Sequence, residues 1–144
     1  MAAAGRGIVT FPRRMPTRFW HVALAGATIA CSQPSTATVV GQWGGTEVSL
    51  VIDRSGGNLT YQCGSGTIDS SWTLTSDGQF AGSGEHYLGG GPAPSGGRPP
   101  HAALYAGQVN GNTLTLTVTI PDLDEVLGPY QLKRNGAPVS EVCV

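Results

Sequence analysis

His86 lies near the start of residues 84–100 (GEHYLGGGPAPSGGRPP) and His101 directly after them, with Glu85 beside the first histidine and Tyr87 and Tyr105 close by. If that stretch folded back on itself, His86, His101 and Glu85 could converge as a His/carboxylate set able to hold zinc, as in a zinc-dependent hydrolase. The preferred reading is blander: two solvated histidines beside a loop. Pro121-Asp122-Leu123-Asp124-Glu125 offers three carboxylates that could hold calcium. Calcium needs six to eight oxygens, usually around a glycine-containing loop, so an acidic hairpin turn explains the run better. Gly64-Ser65-Gly66 and Gly82-Ser83-Gly84 place serines between glycines. They read as turns between strands, and no oriented base accompanies them as nucleophilic catalysis requires. Asp69 and Asp77 could serve as the paired carboxylates of glycoside hydrolysis. Turns account for both, Asp77 through Ser76-Asp77-Gly78. Trp43 and Trp72, at strand ends, could cover a barrel mouth and stack on a ligand, although such residues more often cap a core. The sequence thus predicts a protein that is not an enzyme, with no catalytic residue, no metal and no cofactor. Ligand or partner contacts are expected from Trp43, Trp72, His86, Tyr87, His101 and Tyr105.

The elements that would position these side chains are short strands. The chain has 144 residues, of which 12% are charged, with 22 glycines and 10 prolines. Glycine supplies the positive φ of tight turns, and threonine suits a pleated surface. Residues 46–53 (TEVSLVID) alternate Val48, Leu50 and Ile52 with Glu47, Ser49 and Val51. Residues 58–63 (NLTYQC) return with Leu59, Tyr61 and Cys63 on one face. Residues 67–75 continue the sheet, and 79–83 return after the Ser76-Asp77-Gly78 turn. Residues 84–100 are predicted as a long loop, because proline lacks the donor a central strand needs. Order resumes over 101–109, and Asn110-Gly111-Asn112 turns into residues 113–120 (TLTLTVTI), the clearest alternation in the chain. Residues 126–134 return, and residues 139–144 close the chain. About eight locally joined strands predict an all-β fold, a small antiparallel up-and-down barrel, with a two-sheet sandwich as the alternative.

Residues 1–31 have the order of an export signal. Arg6, Arg13, Arg14 and Arg18 precede the apolar run 19–30 (FWHVALAGATIA), and Cys31 follows. The run is too short to span a membrane. Met15 could be the true start. Residues 32–39 read as a flexible tether and 40–144 as the barrel domain. Thr28-Ile29-Ala30-Cys31 resembles a bacterial lipobox, with Cys31 as the lipidated residue. After Cys31 there are four basic and nine acidic residues, a formal charge of −5. A nucleic-acid partner would need a basic footprint, which is missing. Contact with a membrane is expected only through the lipid, and the protein is expected to be a monomer.

Three cysteines in an exported chain leave one over. A Cys63–Cys143 bridge with Cys31 lipidated leaves no loose thiol. Closing the first strand of the barrel on the last would bring Cys143 towards the hairpin that carries Cys63. The disulfide would close a loop of about eighty residues, worth roughly 4 kcal/mol in the chain-entropy description.

The run Tyr61-Gln62-Cys63-Gly64-Ser65-Gly66-Thr67-Ile68-Asp69 resembles a signature of a family of small exported bacterial β-proteins and lipoproteins with no established function. Trp43-Gly44-Gly45, the run from Tyr105 to Gly111, the strand over 113–119 and a cysteine near the C-terminus add to the resemblance. It spans residues 42–144 and implies export and a disulfide-linked β-fold. It implies no activity. The expected function is therefore a non-enzymatic protein of the periplasm or cell envelope that binds a protein or small molecule through a barrel mouth or through residues 84–100. A periplasmic inhibitor of a lysozyme or protease is the alternative, on the loose match of Ser83-Gly84-Glu85-His86-Tyr87 to an inhibitor loop.

Overall fold

A computed structural model describes residues 36–92 and 94–140, all within the compact unit Pro34–Val144. The expected export segment 1–31 with Cys31, residues 32–35 of the expected tether, and Cys143 lie outside the described residues.

Among the described residues the fold is all-β, with one short 3-10 turn at Pro121–Leu123. Ten strands follow in chain order: β1 Thr38–Val39, β2 Gly41–Gly44, β3 Val48–Asp53, β4 Gly56–Tyr61, β5 Gly64–Ile68, β6 Trp72–Thr73, β7 Gln79–Leu88, β8 His101–Asn110, β9 Thr113–Ile120 and β10 Glu125–Arg134. Eight of them form a closed antiparallel barrel in the order β2-β3-β4-β5-β7-β8-β9-β10, with β10 pairing back to β2. The predicted up-and-down barrel is therefore observed, and the sandwich is excluded. Strands β1 and β6 pair with each other outside the barrel.

Alternation drives the assembly. Leu114, Leu116, Val118 and Ile120 of β9 point inward and are fully buried, while the four threonines between them face out. Leu50 and Ile52 of β3, Leu59 of β4 and Leu132 of β10 complete the aliphatic part of the core. Burying one such side chain contributes about 2 kcal/mol. Asp53 fastens the β3–β4 turn, its Oδ1 accepting from the Ser55 amide at 2.7 Å.

Glycines shape the other wall. Gly82, Gly84 and Gly107 take inward positions opposite the rings of Trp72, Tyr105 and Phe80, and a Cβ at any of them would collide with those rings or with the neighbouring backbone. Trp72 stacks on Phe80 with centroids 4.4 Å apart, and Tyr105 lies 5.7 Å from Trp72. These contacts correct the expectation that residues 84–100 form one loop. Strand β7 runs on to Leu88, hydrogen-bonded to β5 on one side and β8 on the other, so only 89–100 connect β7 to β8. Other boundaries also shift. Gly64 begins β5 rather than breaking the sheet, and β5 ends at Ile68, apart from β6. Val39 is buried in the core, so the end of the expected tether belongs to the fold. The sequence reading also missed β2, which closes the barrel where residues 139–144 were expected to.

Strand length makes the barrel uneven. Strands β7 to β10 have eight to ten residues, whereas β2 to β5 have four to six. Only Lys133 and Arg134 of β10 pair with β2, and the first part of β10 has no β2 partner. The barrel is therefore open beside the start of β10. At the far end of β10, the Arg134 guanidinium lies 4.3 Å from the centroid of the Trp43 ring, which is fully buried beneath it.

Candidate functional site

The open end is built from connections and strand tips. Glu47 comes from the β2–β3 connection, Tyr61 from the end of β4, Gln62 and Cys63 from the β4–β5 turn, and His86 and Leu88 from the end of β7. Glu125, Leu127 and Tyr130 come from the start of β10. Together they line a cavity of about 310 Å³, within the size range of small-ligand sites.

An irregularity in β10 decides which of its side chains reach this cavity. Leu127 is opposite Val118 and Tyr130 opposite Leu116, so β10 spends one residue more than β9 between those pairs. The extra residue falls at Gly128-Pro129, where Gly128 has φ 98°. A bulge of this kind reverses the in–out alternation beyond it. Tyr130 therefore faces inward, as Leu127 does before the bulge, and Leu132 follows it into the core.

Two polar groups at the cavity are buried without a hydrogen-bond partner among the described residues: the Tyr61 hydroxyl and Nδ1 of His86. Tyr61 is 6% exposed and His86 4%. The His86 ring meets the Tyr61 ring edge-on at 5.2 Å, and the Tyr130 ring is tilted against Tyr61 at 6.2 Å. Burial lowers the His86 pKa below the usual histidine value, against a smaller upward pull from Glu125, while His101 adds to the lowering. The imidazole is thus neutral at pH 7, with one nitrogen donating and one accepting. Burial also raises the Tyr61 and Tyr130 phenols, for Tyr130 with help from Glu47 and Glu125. Both phenols keep their protons. The cavity lining contains two carboxylates and no lysine or arginine. Such a surface can accept hydrogen bonds, donate a few, and present ring faces to a positive charge.

The structure separates the residues singled out in the sequence. His86 and His101 are direct cross-strand partners, so they do come together. His86 is buried, which corrects the expectation of two solvated histidines. Glu85 points to the outer face, where its Oε2 accepts a hydrogen bond from the Tyr87 hydroxyl at 2.5 Å. His101 is committed to Asp122, Nδ1 to Oδ2 at 2.5 Å, which ties the Pro121–Leu123 turn to the start of β8. Among the described residues no three His, Cys, Asp or Glu side chains gather as a metal site. Tyr105 is a core residue whose hydroxyl lies 2.9 Å from the Thr67 carbonyl oxygen and 3.2 Å from that of Glu85. Trp43 and Trp72 are buried away from the opening, so neither covers the mouth. The run 83–87 is strand, not loop, with Ser83 donating to Asp69 at 2.9 Å.

Four cavity residues were not foreseen as a group: Glu47, Tyr61, Glu125 and Tyr130. The parity of residues 58–63 already placed Tyr61 on the core face. Nothing local marks Tyr130, because its orientation depends on the bulge. Comparison of the chain with protein-family models, with curated proteins and with solved structures yields no match.

Proposed function

We propose that this protein is an exported, non-enzymatic binding module of the cell envelope, and that it takes its ligand at the open end of the barrel. The observation that carries this reading is the pair of buried polar groups at the cavity, Tyr61 OH and His86 Nδ1, that the described residues leave without partners. A buried hydroxyl or imidazole nitrogen without a partner costs about 1–3 kcal/mol. A fold meets that cost where a ligand supplies the partner. At the other end of β10 the Arg134 guanidinium covers the buried Trp43 ring.

Export rests on the arginine-rich, apolar start of the chain, and lipidation on Cys31 at the end of that segment. The Cys63–Cys143 disulfide is supported by two placements. Cys63 lines the mouth, and the chain beyond β10 turns at Asn135 and lays Gly136 and Ala137 against Gly44, heading back towards the mouth. A covalent link there would tie the end of the chain to the rim.

The test is a ligand screen on the purified protein by NMR, with small molecules of positive, neutral and negative charge. Binding is expected to shift the ring signals of Tyr61, His86 and Tyr130. A screen in which no compound moves those signals, or in which ligands move only signals elsewhere on the barrel, would overturn the proposal.

A further inference from the structure

We infer that the group recognised at the mouth is a primary alkylammonium, carried either by a free amine or by a lysine side chain of another protein. This rests on the reading of the mouth as a binding site and names the chemistry of what it binds.

The polar groups at the cavity fit a cation with several donors. Glu47 and Glu125 supply carboxylates, His86 an imidazole with a buried, unpartnered nitrogen, and Tyr61 a hydroxyl whose oxygen can accept. An ammonium offers three donors and no acceptor, which matches this surplus of acceptors. The nearby cations are engaged elsewhere. Arg98 Nη1 donates to the Leu88 carbonyl oxygen at 3.2 Å, Lys133 Nζ to Thr113 Oγ1 at 2.6 Å, and Arg134 covers Trp43. An anion entering the cavity would therefore meet two carboxylates and no positive side chain.

The rings add a second reason. Tyr61 and Tyr130 are tilted by 55° with centroids 6.2 Å apart, so a cation lodged against one ring lies within reach of the other. Attraction of a cation to such faces is worth roughly 0.5–2 kcal/mol, the upper end applying when water is excluded. Leu88 and Leu127 provide apolar wall for an alkyl chain behind the charged group. A metal ion is a poorer fit, because the carboxylates and His86 do not gather as a coordination set among the described residues.

The experiment titrates the purified protein with hexylammonium, hexanol and hexanoate at constant ionic strength, following the His86 and Tyr130 ring signals by NMR. Hexylammonium is expected to bind about tenfold more tightly than hexanol, with no binding of hexanoate. The double substitution Glu47→Gln, Glu125→Gln changes two exposed side chains. It is expected to bring hexylammonium down to the affinity of hexanol. Hexanol or hexanoate binding as tightly as hexylammonium would overturn the inference while leaving the mouth as a binding site. Failure of all three to move the mouth signals would remove the binding-site reading itself. Nα-acetyl-lysine N-methylamide separates the two sources. Tighter binding than hexylammonium assigns the group to a protein lysine, and weaker binding assigns it to a free amine.

Discussion

Tyr61→Phe and Tyr105→Phe remove the same atom from two buried tyrosines, yet they should change stability in opposite directions. Both rings are packed in the core, Tyr61 6% and Tyr105 1% exposed. The Tyr105 hydroxyl bonds to the Thr67 carbonyl at 2.9 Å. Its loss forfeits a net hydrogen bond and is expected to destabilise the barrel by about 1 kcal/mol. The Tyr61 hydroxyl has no partner among the described residues, so the folded protein carries its desolvation uncompensated. Phenylalanine removes that penalty, and a gain of about 1 kcal/mol is expected. In a domain of this size that is a rise in Tm of about 4 °C. Urea denaturation of both variants at neutral pH gives the comparison, provided the m-values stay equal to wild type. The same Tyr61→Phe protein should bind hexylammonium more weakly, because stability and binding are then traded at one atom. If Tyr61→Phe loses stability as Tyr105→Phe does, the hydroxyl is already satisfied in the folded state, and the reasoning that makes it a ligand contact fails.

Gly84→Ala should destabilise the barrel by about 3 kcal/mol, because the added Cβ meets the Thr67 carbonyl oxygen and lies 3.0 Å from Tyr105 Cε2. Gly90→Ala, at φ 84° with nothing nearby, should lose only about 1 kcal/mol, so equal unfolding midpoints for the two would contradict the packing described. The folded His86 pKa lies below the value of about 6.5 expected for the unfolded chain, so its neutral form contributes stability above that value, which is lost as pH falls through the folded pKa. A His86→Phe protein should accordingly show a flatter stability profile between about pH 7 and about pH 5 in urea titrations, and an unchanged slope would show that His86 is not buried neutral. Cys31→Ser should move the protein from the membrane to the soluble fraction of its host, and a variant that still sediments with membranes would end the lipidation proposal.

The parts of the fold that could be read from the sequence are those governed by neighbours in sequence. β9 is an example: each threonine and each aliphatic residue of TLTLTVTI occupies the face its parity assigns. The hairpin turn at Gly111 is another, with φ 60° where the Asn-Gly signal predicts a turn. Gly82 and Gly84 misled the reading because their role is not local. In isolation they weaken a strand, but in the barrel they clear space for Trp72 and Tyr105, which arrive from elsewhere in the chain. Trp43 and Trp72 were placed at a mouth for the same reason: their positions near strand ends say nothing about which end of a barrel is filled. Of the cavity residues, His86 was singled out as a ligand contact, Cys63 as a disulfide partner and Glu125 within an acidic run. Glu47, Tyr61, Glu125 and Tyr130 come from three separate parts of the chain and meet only when β10 closes on β2.

The opening itself follows from a mismatch that a regular barrel would not contain. Strand β10 has ten residues and β2 four, so pairing at Lys133 and Arg134 uses up β2 while most of β10 is still unmatched on that side. A strand edge left in this way exposes ladder groups and invites association. Here the bulge at Gly128-Pro129 interrupts the edge, since Pro129 has no N–H to offer and Gly128 bends the strand. The bulge absorbs the extra residue, so that Tyr130, three residues after Leu127, still faces inward opposite Leu116 and against Tyr61. One bulge therefore both blunts the unpaired edge and keeps the second aromatic wall of the cavity in register. Deleting Pro129 would restore regular alternation with Tyr130 still opposite Leu116 and facing inward. The edge would then be continuous while the cavity kept both tyrosine faces, so such a variant is expected to self-associate more readily yet still bind at the mouth.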